Sequence, residues 1–221
     1  MKISFRELKA SSKPIPIDNN LVIEMTNYFF ENYFSNDENF ERKFQTINVK
    51  EEIITFLFRV EYAYLNSKNF VNKGESETRG GNNTLTLFCD RNYSKEKVRE
   101  RFENNRKYLI SIISHELTHL NDKISKKEGS ETGEEDEKKY YNMNKELKAF
   151  LQQIVYEVSD ICENVKFDKN NLKENDVFKL LNFSVTYRNI KKYLNDKNKK
   201  IIFQVIYKLI KSGGINDYKK N

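Results

Sequence analysis

"SIISHELTHLND" (residues 111–122) contains the only two histidines in a chain of 221 residues. His115 and His119 are four apart, with Glu116 directly after the first. Around them Leu109, Ile110, Ile112, Ile113, Leu117 and Leu120 cover most of the circumference of a helix, and a helix that is apolar nearly all round is a buried one. Side chains at i and i+4 lie almost one above the other, with Cβ atoms about 6 Å apart. Two imidazole nitrogens so placed can converge on one ion at about 2.0–2.1 Å each. Glu116 is turned about 100° from His115. A carboxylate there cannot easily join the same ligand set, but it can reach water held by the ion. That is the physical content of an H-E-x-x-H pattern: two ligands and one base. A lone core histidine is satisfied by one hydrogen bond. Two histidines and a glutamate on an apolar helix leave several polar groups to desolvate, at about 1–3 kcal/mol or more each. A bound cation offsets that cost.

Zinc (Zn2+) is the expected ion, because two imidazoles plus an oxygen ligand suit it and three protein ligands leave a position open. No third histidine exists, so the remaining ligand is an oxygen or a cysteine. Glu146 is the best-placed candidate, near the start of a long amphipathic helix, with the small Ala149 three residues on. Glu157, deeper in that helix, and Asp122, close to the first helix's own axis, are its rivals.

Working outward, residues 18–35 have helical spacing behind a possible Asp18 cap, and a shorter helix is expected at 38–46. "TFLFRVEYAYL" (55–65) changes to a period of two, hence a strand. Residues 66–83 are rich in Asn, Gly and Ser and read as a long loop. "TLTLFCD" (84–90) is a second strand, which most simply pairs antiparallel with the first. Ser94 opens a polar helix that leads into the histidine segment. Residues 125–139 form an acidic surface loop carrying Glu128, Glu131, Glu134, Glu135, Asp136 and Glu137. A strong helical stripe follows over 140–165, then helices near 174–183, 185–195 and 198–211. The sum is an α+β chain, mostly helical, with a small antiparallel sheet beside the histidine helix, a second ligand-bearing helix and a C-terminal helical extension. The expected division is a domain of residues 1–165 and a basic extension, 166–221, packed on the same core.

Composition limits the function classes. Charged residues make up 33% of the chain, but aromatic residues are plentiful and Gly and Pro scarce, which argues for a folded, helix-rich protein. The net charge of +6 is uneven: residues 164–221 carry +9 and residues 1–163 carry −3. No apolar run reaches the roughly 18 residues of a membrane span, and the start does not read as a signal peptide. A cytoplasmic protein with no membrane partner is expected. Cys89 and Cys162 lack metal-type spacing and read as reduced core thiols.

"HELTH" together with "YYNMNKELKAF" (140–150) resembles the zincin metallopeptidases. More narrowly it resembles the gluzincins, and among them small metallopeptidase-like proteins of bacteria and their phages with a downstream Y-N-x-x-x-E-x-x-A motif, here Tyr141, Asn142, Glu146 and Ala149. The resemblance covers roughly residues 55–160. It implies a zincin-like fold, zinc on His115, His119 and Glu146, and Glu116 as base. It also implies that an edge strand above the metal helix holds extended substrate backbone, and "TLTLFCD" is placed for that. Two departures stand out. Glu146 lies 27 residues beyond His119, a longer gap than the common spacing, and Phe150 replaces the Asp that often follows. The histidines then need another acceptor, such as backbone carbonyls, Asp122 or Asp160.

The expected function is peptide-bond hydrolysis on a peptide or protein substrate. Glu116 takes the proton from water activated by zinc and delivers it to the leaving amine. A neutral donor for the oxyanion is sought among Tyr140, Tyr141 and Tyr156, with Tyr141 chosen. Two alternatives remain: a non-catalytic zinc-stabilised module of a phage or host assembly, and a nucleic-acid-binding protein acting through the basic tail. A glutamate beside His115 favours catalysis over the first. The lack of Arg clusters with interleaved aromatics weighs against the second.

Overall fold

The computed structural model describes residues 18–36, 38–49, 52–65, 71–126, 137–164 and 171–217. It is a mixed α+β chain, mostly helical, with one small four-stranded sheet. Two compact units divide it, one within Asn20–Glu131 and one from Thr132 onward.

The first unit holds α1 (Asn19–Tyr33), β1 (Phe40–Val49), β2 (Glu52–Ala63), β3 (Val71–Arg79), β4 (Asn82–Asp90) and α2 (Lys95–Lys126). The sheet order is β1-β2-β4-β3. Rings from α1, β1, β2 and α2 build the core: Phe29 meets Phe102 at 5.0 Å, Tyr28 meets Phe44 at 5.9 Å, and Phe44 stacks on Phe56 at 6.0 Å.

Three expectations are corrected here. The helix expected at 38–46 is strand β1. Phe40 and Phe44 are four apart, which fits one helical face and also one strand face. Antiparallel pairing with β2, Phe44 opposite Phe56 and Phe40 opposite Val60, decides for the strand. The loop expected at 66–83 contains β3, an edge strand whose polar sequence hides its period. It joins β4 through Gly80 and Gly81, both at positive φ (56° and 82°), as a two-residue primed turn demands. Finally, β2 and β4 pair parallel, not antiparallel, because the chain runs out to the edge as β3 before returning as β4. β4 is therefore central, with Leu85, Thr86, Leu87, Cys89 and Asp90 all buried, and the edge role expected for it belongs to β3.

The polar and the buried stretches before the histidines form one continuous helix, α2. Ser94 caps it, its hydroxyl accepting from Lys97 N at 3.3 Å. The Glu96 carboxyl is held below its ordinary value by its own backbone N–H and by the Ser94 hydroxyl. At the far end of β4, Asp90 Oδ1 accepts from the backbone of Leu65 and Asn92, tying the ends of β2 and β4.

The second unit is helical: α3 (Glu137–Asn142), α4 (Asn144–Asn164), α5 (Glu174–Phe183), α6 (Val185–Ile190), α7 (Asp196–Ser212) and α8 (Gly214–Asp217). Leu147, Leu151, Ile154 and Val158 of α4 share one core with Leu180 and Leu181 of α5, Ile190 of α6, Ile202, Ile206 and Ile210 of α7, and Ile215 of α8. The basic extension thus buries an apolar face against α4, while Lys191, Lys192, Lys197, Lys200, Lys208 and Lys211 stay exposed. Glu157 fastens α4 to α6: its carboxylate accepts from the Ser184 hydroxyl, from Thr186 N at 3.1 Å and from Thr186 Oγ1 at 2.6 Å.

Candidate metal centre

His115, Glu116 and His119 lie in the buried second half of α2. Ser111, Ser114, Leu117, Thr118 and Leu120 are buried around them, and His115 and Glu116 are only 6% and 8% exposed. The helical repeat stacks the imidazoles edge to face, ring centroids 4.8 Å apart, with Nε2 to Nε2 at 3.1 Å. Two nitrogens bound to one tetrahedral ion at 2.0–2.1 Å are roughly 3.3–3.4 Å apart, so this separation is close to that of a ligand pair. It also suits a hydrogen bond in which one ring donates and the other accepts. A cation resolves the choice by taking both lone pairs.

Glu146 lies in the first turn of α4 and is 6% exposed. Single ligand atoms of His115, His119 and Glu146 all fall within 4.8 Å of one another. Among the described residues this is the one group of three or more His, Cys, Asp or Glu side chains so gathered. Two imidazoles and a carboxylate are a donor set that suits zinc. The arrangement is compatible with a metal ion.

The rival Glu157 is engaged by Ser184 and Thr186. The side chain of Asp122 and the acidic segment 127–136 lie outside the described residues. Tyr141 packs its ring flat on Tyr193, centroids 4.9 Å apart and planes 15° apart, and against Phe150 at 5.3 Å. Phe150 therefore serves an aromatic cluster of the helical core where an acceptor for a histidine was sought.

Asn142 of the same motif is bound on every polar atom. Its Nδ2 donates to Lys138 O at 2.6 Å and Tyr193 O at 2.8 Å, and its Oδ1 accepts from Asn195 N and Asn198 Nδ2, both at 2.9 Å. An amide offers two donors and two lone pairs, and all four are used. The motif's Tyr-Asn pair thus holds the junction before Glu146 to the α6–α7 turn. Leu147 N donates to Met143 O at 2.8 Å across the same junction.

One residue of the site was not legible from the sequence. Gly74 of β3 lies against the side chain of Glu116, so close that no side chain could replace its hydrogen without contact. The signal was a lone glycine in a strand, but the strand itself read as loop.

No family model matches the sequence, no curated protein matches it, and no solved structure matches its fold.

Proposed function

We propose that the protein is a zinc-dependent metallopeptidase of zincin-like, gluzincin-type chemistry, with His115, His119 and Glu146 as ligands and Glu116 as general base. The observation that carries the reading is the gathering of those three ligand atoms within 4.8 Å, with a buried glutamate directly after the first histidine. Bound zinc would supply Lewis acidity, acidifying water and polarising the scissile carbonyl. Glu116 accepts the proton from the attacking water and returns it to the leaving amine nitrogen, which keeps the step balanced in protons. Burial of Glu116 supports the role, since a base shielded from bulk water holds its proton for transfer. A purely structural zinc site has no use for it. Substrate is an extended peptide or protein segment. Among the described residues no helix is long and apolar enough to cross a membrane.

The test pairs metal analysis with cleavage of a pool of quenched fluorogenic peptides. The parent binds one zinc per chain and cleaves. Glu146→Ala loses zinc. Glu116→Gln keeps zinc and loses cleavage by about 100-fold or more. Zinc retained in full by Glu146→Ala removes the third ligand, and parent-rate cleavage by Glu116→Gln removes the mechanism. Tyr141→Phe decides whether that hydroxyl contributes, because the ring packing survives the change.

A further inference from the structure

β3 is the edge strand of the sheet and carries Gly74 opposite Leu87 of β4. The backbone does not require glycine at this position: the positive-φ glycines among the described residues are Gly80, Gly81 and Gly213. A glycine inside a strand costs stability, since it packs nothing and gives up more chain freedom on folding. Space is what requires it. A methyl group at Gly74 would sit 2.2 Å from Glu116 Cγ, 2.8 Å from Cδ and 2.9 Å from Oε1. Even alanine does not fit while Glu116 keeps its place. The ladder irregularity between Val71 and Lys73 comes just before this point, and such bulges re-aim a strand locally.

We infer that Gly74 is a positioning residue for Glu116: the missing side chain makes a seat in which the strand backbone walls one side of the glutamate stem and aims its carboxylate. The packing stands on geometry alone. Its catalytic meaning rests on the reading of Glu116 as base. A base must lie within about 2.6–3.2 Å of the proton it takes, and a misplacement of about 1 Å can cost about 100-fold. Any side chain at position 74 forces Glu116 to rotate out of the seat or pushes β3 off α2.

A double-mutant cycle tests the seat without reference to activity. Urea midpoints are measured for the parent, Gly74→Ala, Glu116→Ala and the double variant, all as full-length chains. Gly74→Ala lowers the midpoint when Glu116 is present. With alanine at 116 the obstruction is gone, and Gly74→Ala leaves the midpoint unchanged or raises it by removing strand glycine. The same shift in both backgrounds overturns the inference. The kinetic arm uses the peptide pool and zinc-loaded protein. Gly74→Ala lowers kcat by about 100-fold with KM and bound zinc at parent values, and the change adds nothing in the Glu116→Gln background. Fully independent effects on kcat overturn the positioning role. If the parent cleaves no peptide, the metallopeptidase reading fails, while the urea cycle still decides the seat.

Discussion

Replacing Asn142 with alanine removes one side chain and four hydrogen bonds. The bond to Lys138 O lies at an exposed position, where water takes over, so it contributes little. The bond from Asn195 N is exposed as well, and the bonds to Tyr193 O and from Asn198 Nδ2 are part-buried. Asn195 N and the buried Asn198 amide lose their acceptor, and Tyr193 O loses a donor. At about 1 kcal/mol net for each of the two part-buried bonds, the helical unit should lose about 2 kcal/mol. That is a large share of the roughly 5–15 kcal/mol typical of a folded domain. Asn182 is the control: it also makes two side-chain bonds, to Phe178 O and from Lys191 Nζ, but on an exposed surface, and Asn182→Ala should cost within about 0.5 kcal/mol. Asn142→Asp keeps the acceptor but turns an oxygen toward two carbonyls, so it should be no better than alanine. The assay is urea unfolding followed by helical circular dichroism, with a zinc titration on each variant, because the junction that loosens is the one that sets the start of α4 and Glu146. If Asn142→Ala unfolds within about 0.5 kcal/mol of the parent, the four bonds do not hold that junction and the reasoning is wrong.

Three further expectations follow from single groups. Glu157→Ala leaves the buried Ser184 and Thr186 without their acceptor and should cost about 3 kcal/mol in the same urea assay, charge-assisted bonds being the stronger kind; a neutral result would mean that α6 is held by its apolar face alone. Asn121 is 2% exposed and, among the described residues, neither atom of its amide has a hydrogen-bond partner, so Asn121→Leu should raise stability by about 1 kcal/mol, and a lower midpoint would show that the amide is needed. Burial pushes the Cys89 thiol well above its ordinary value, and burial, then the neighbouring Cys89, Tyr62 and Glu96, push the Tyr33 hydroxyl up likewise. Groups raised in the folded state contribute fully below their unfolded pKa and lose that contribution as the pH rises past it, so urea midpoints should fall from about pH 8.5 upward. In Cys89→Val the fall should begin nearer pH 10, where tyrosine titrates, and an identical profile would discard the thiol as its source.

The histidine pair and its glutamate were legible because i, i+4 spacing acts within one turn of one helix and needs no knowledge of what surrounds it. Glu146 was legible for a related reason: its helix has a sustained apolar stripe, so its first turn could be located. The sheet was harder. Phe40 and Phe44 satisfy two periods at once, and only the partner strand chooses between them. Val71–Arg79 is polar because an edge strand buries little, and the Gly80-Gly81 turn that marks it was absorbed into what read as loop. The parallel pairing of β2 with β4 leaves no local mark at all, and the closeness of Gly74 to Glu116 could not be seen before β3 was known to exist. Asn142 was noticed for its motif, but its four partners lie on residues 138 and 193–198, which sequence spacing does not connect.

The sheet order also fixes a sequence of events. β4 occupies the slot between β2 and β3, two strands synthesised before it. As the chain emerges residue by residue, β2 and β3 have no common partner until Asp90 is out, and a polypeptide stopped short of that residue would present both to solvent as open, stickable edges. The centre of the sheet is a keystone, set last, and interruptions of translation or truncations upstream of it should aggregate.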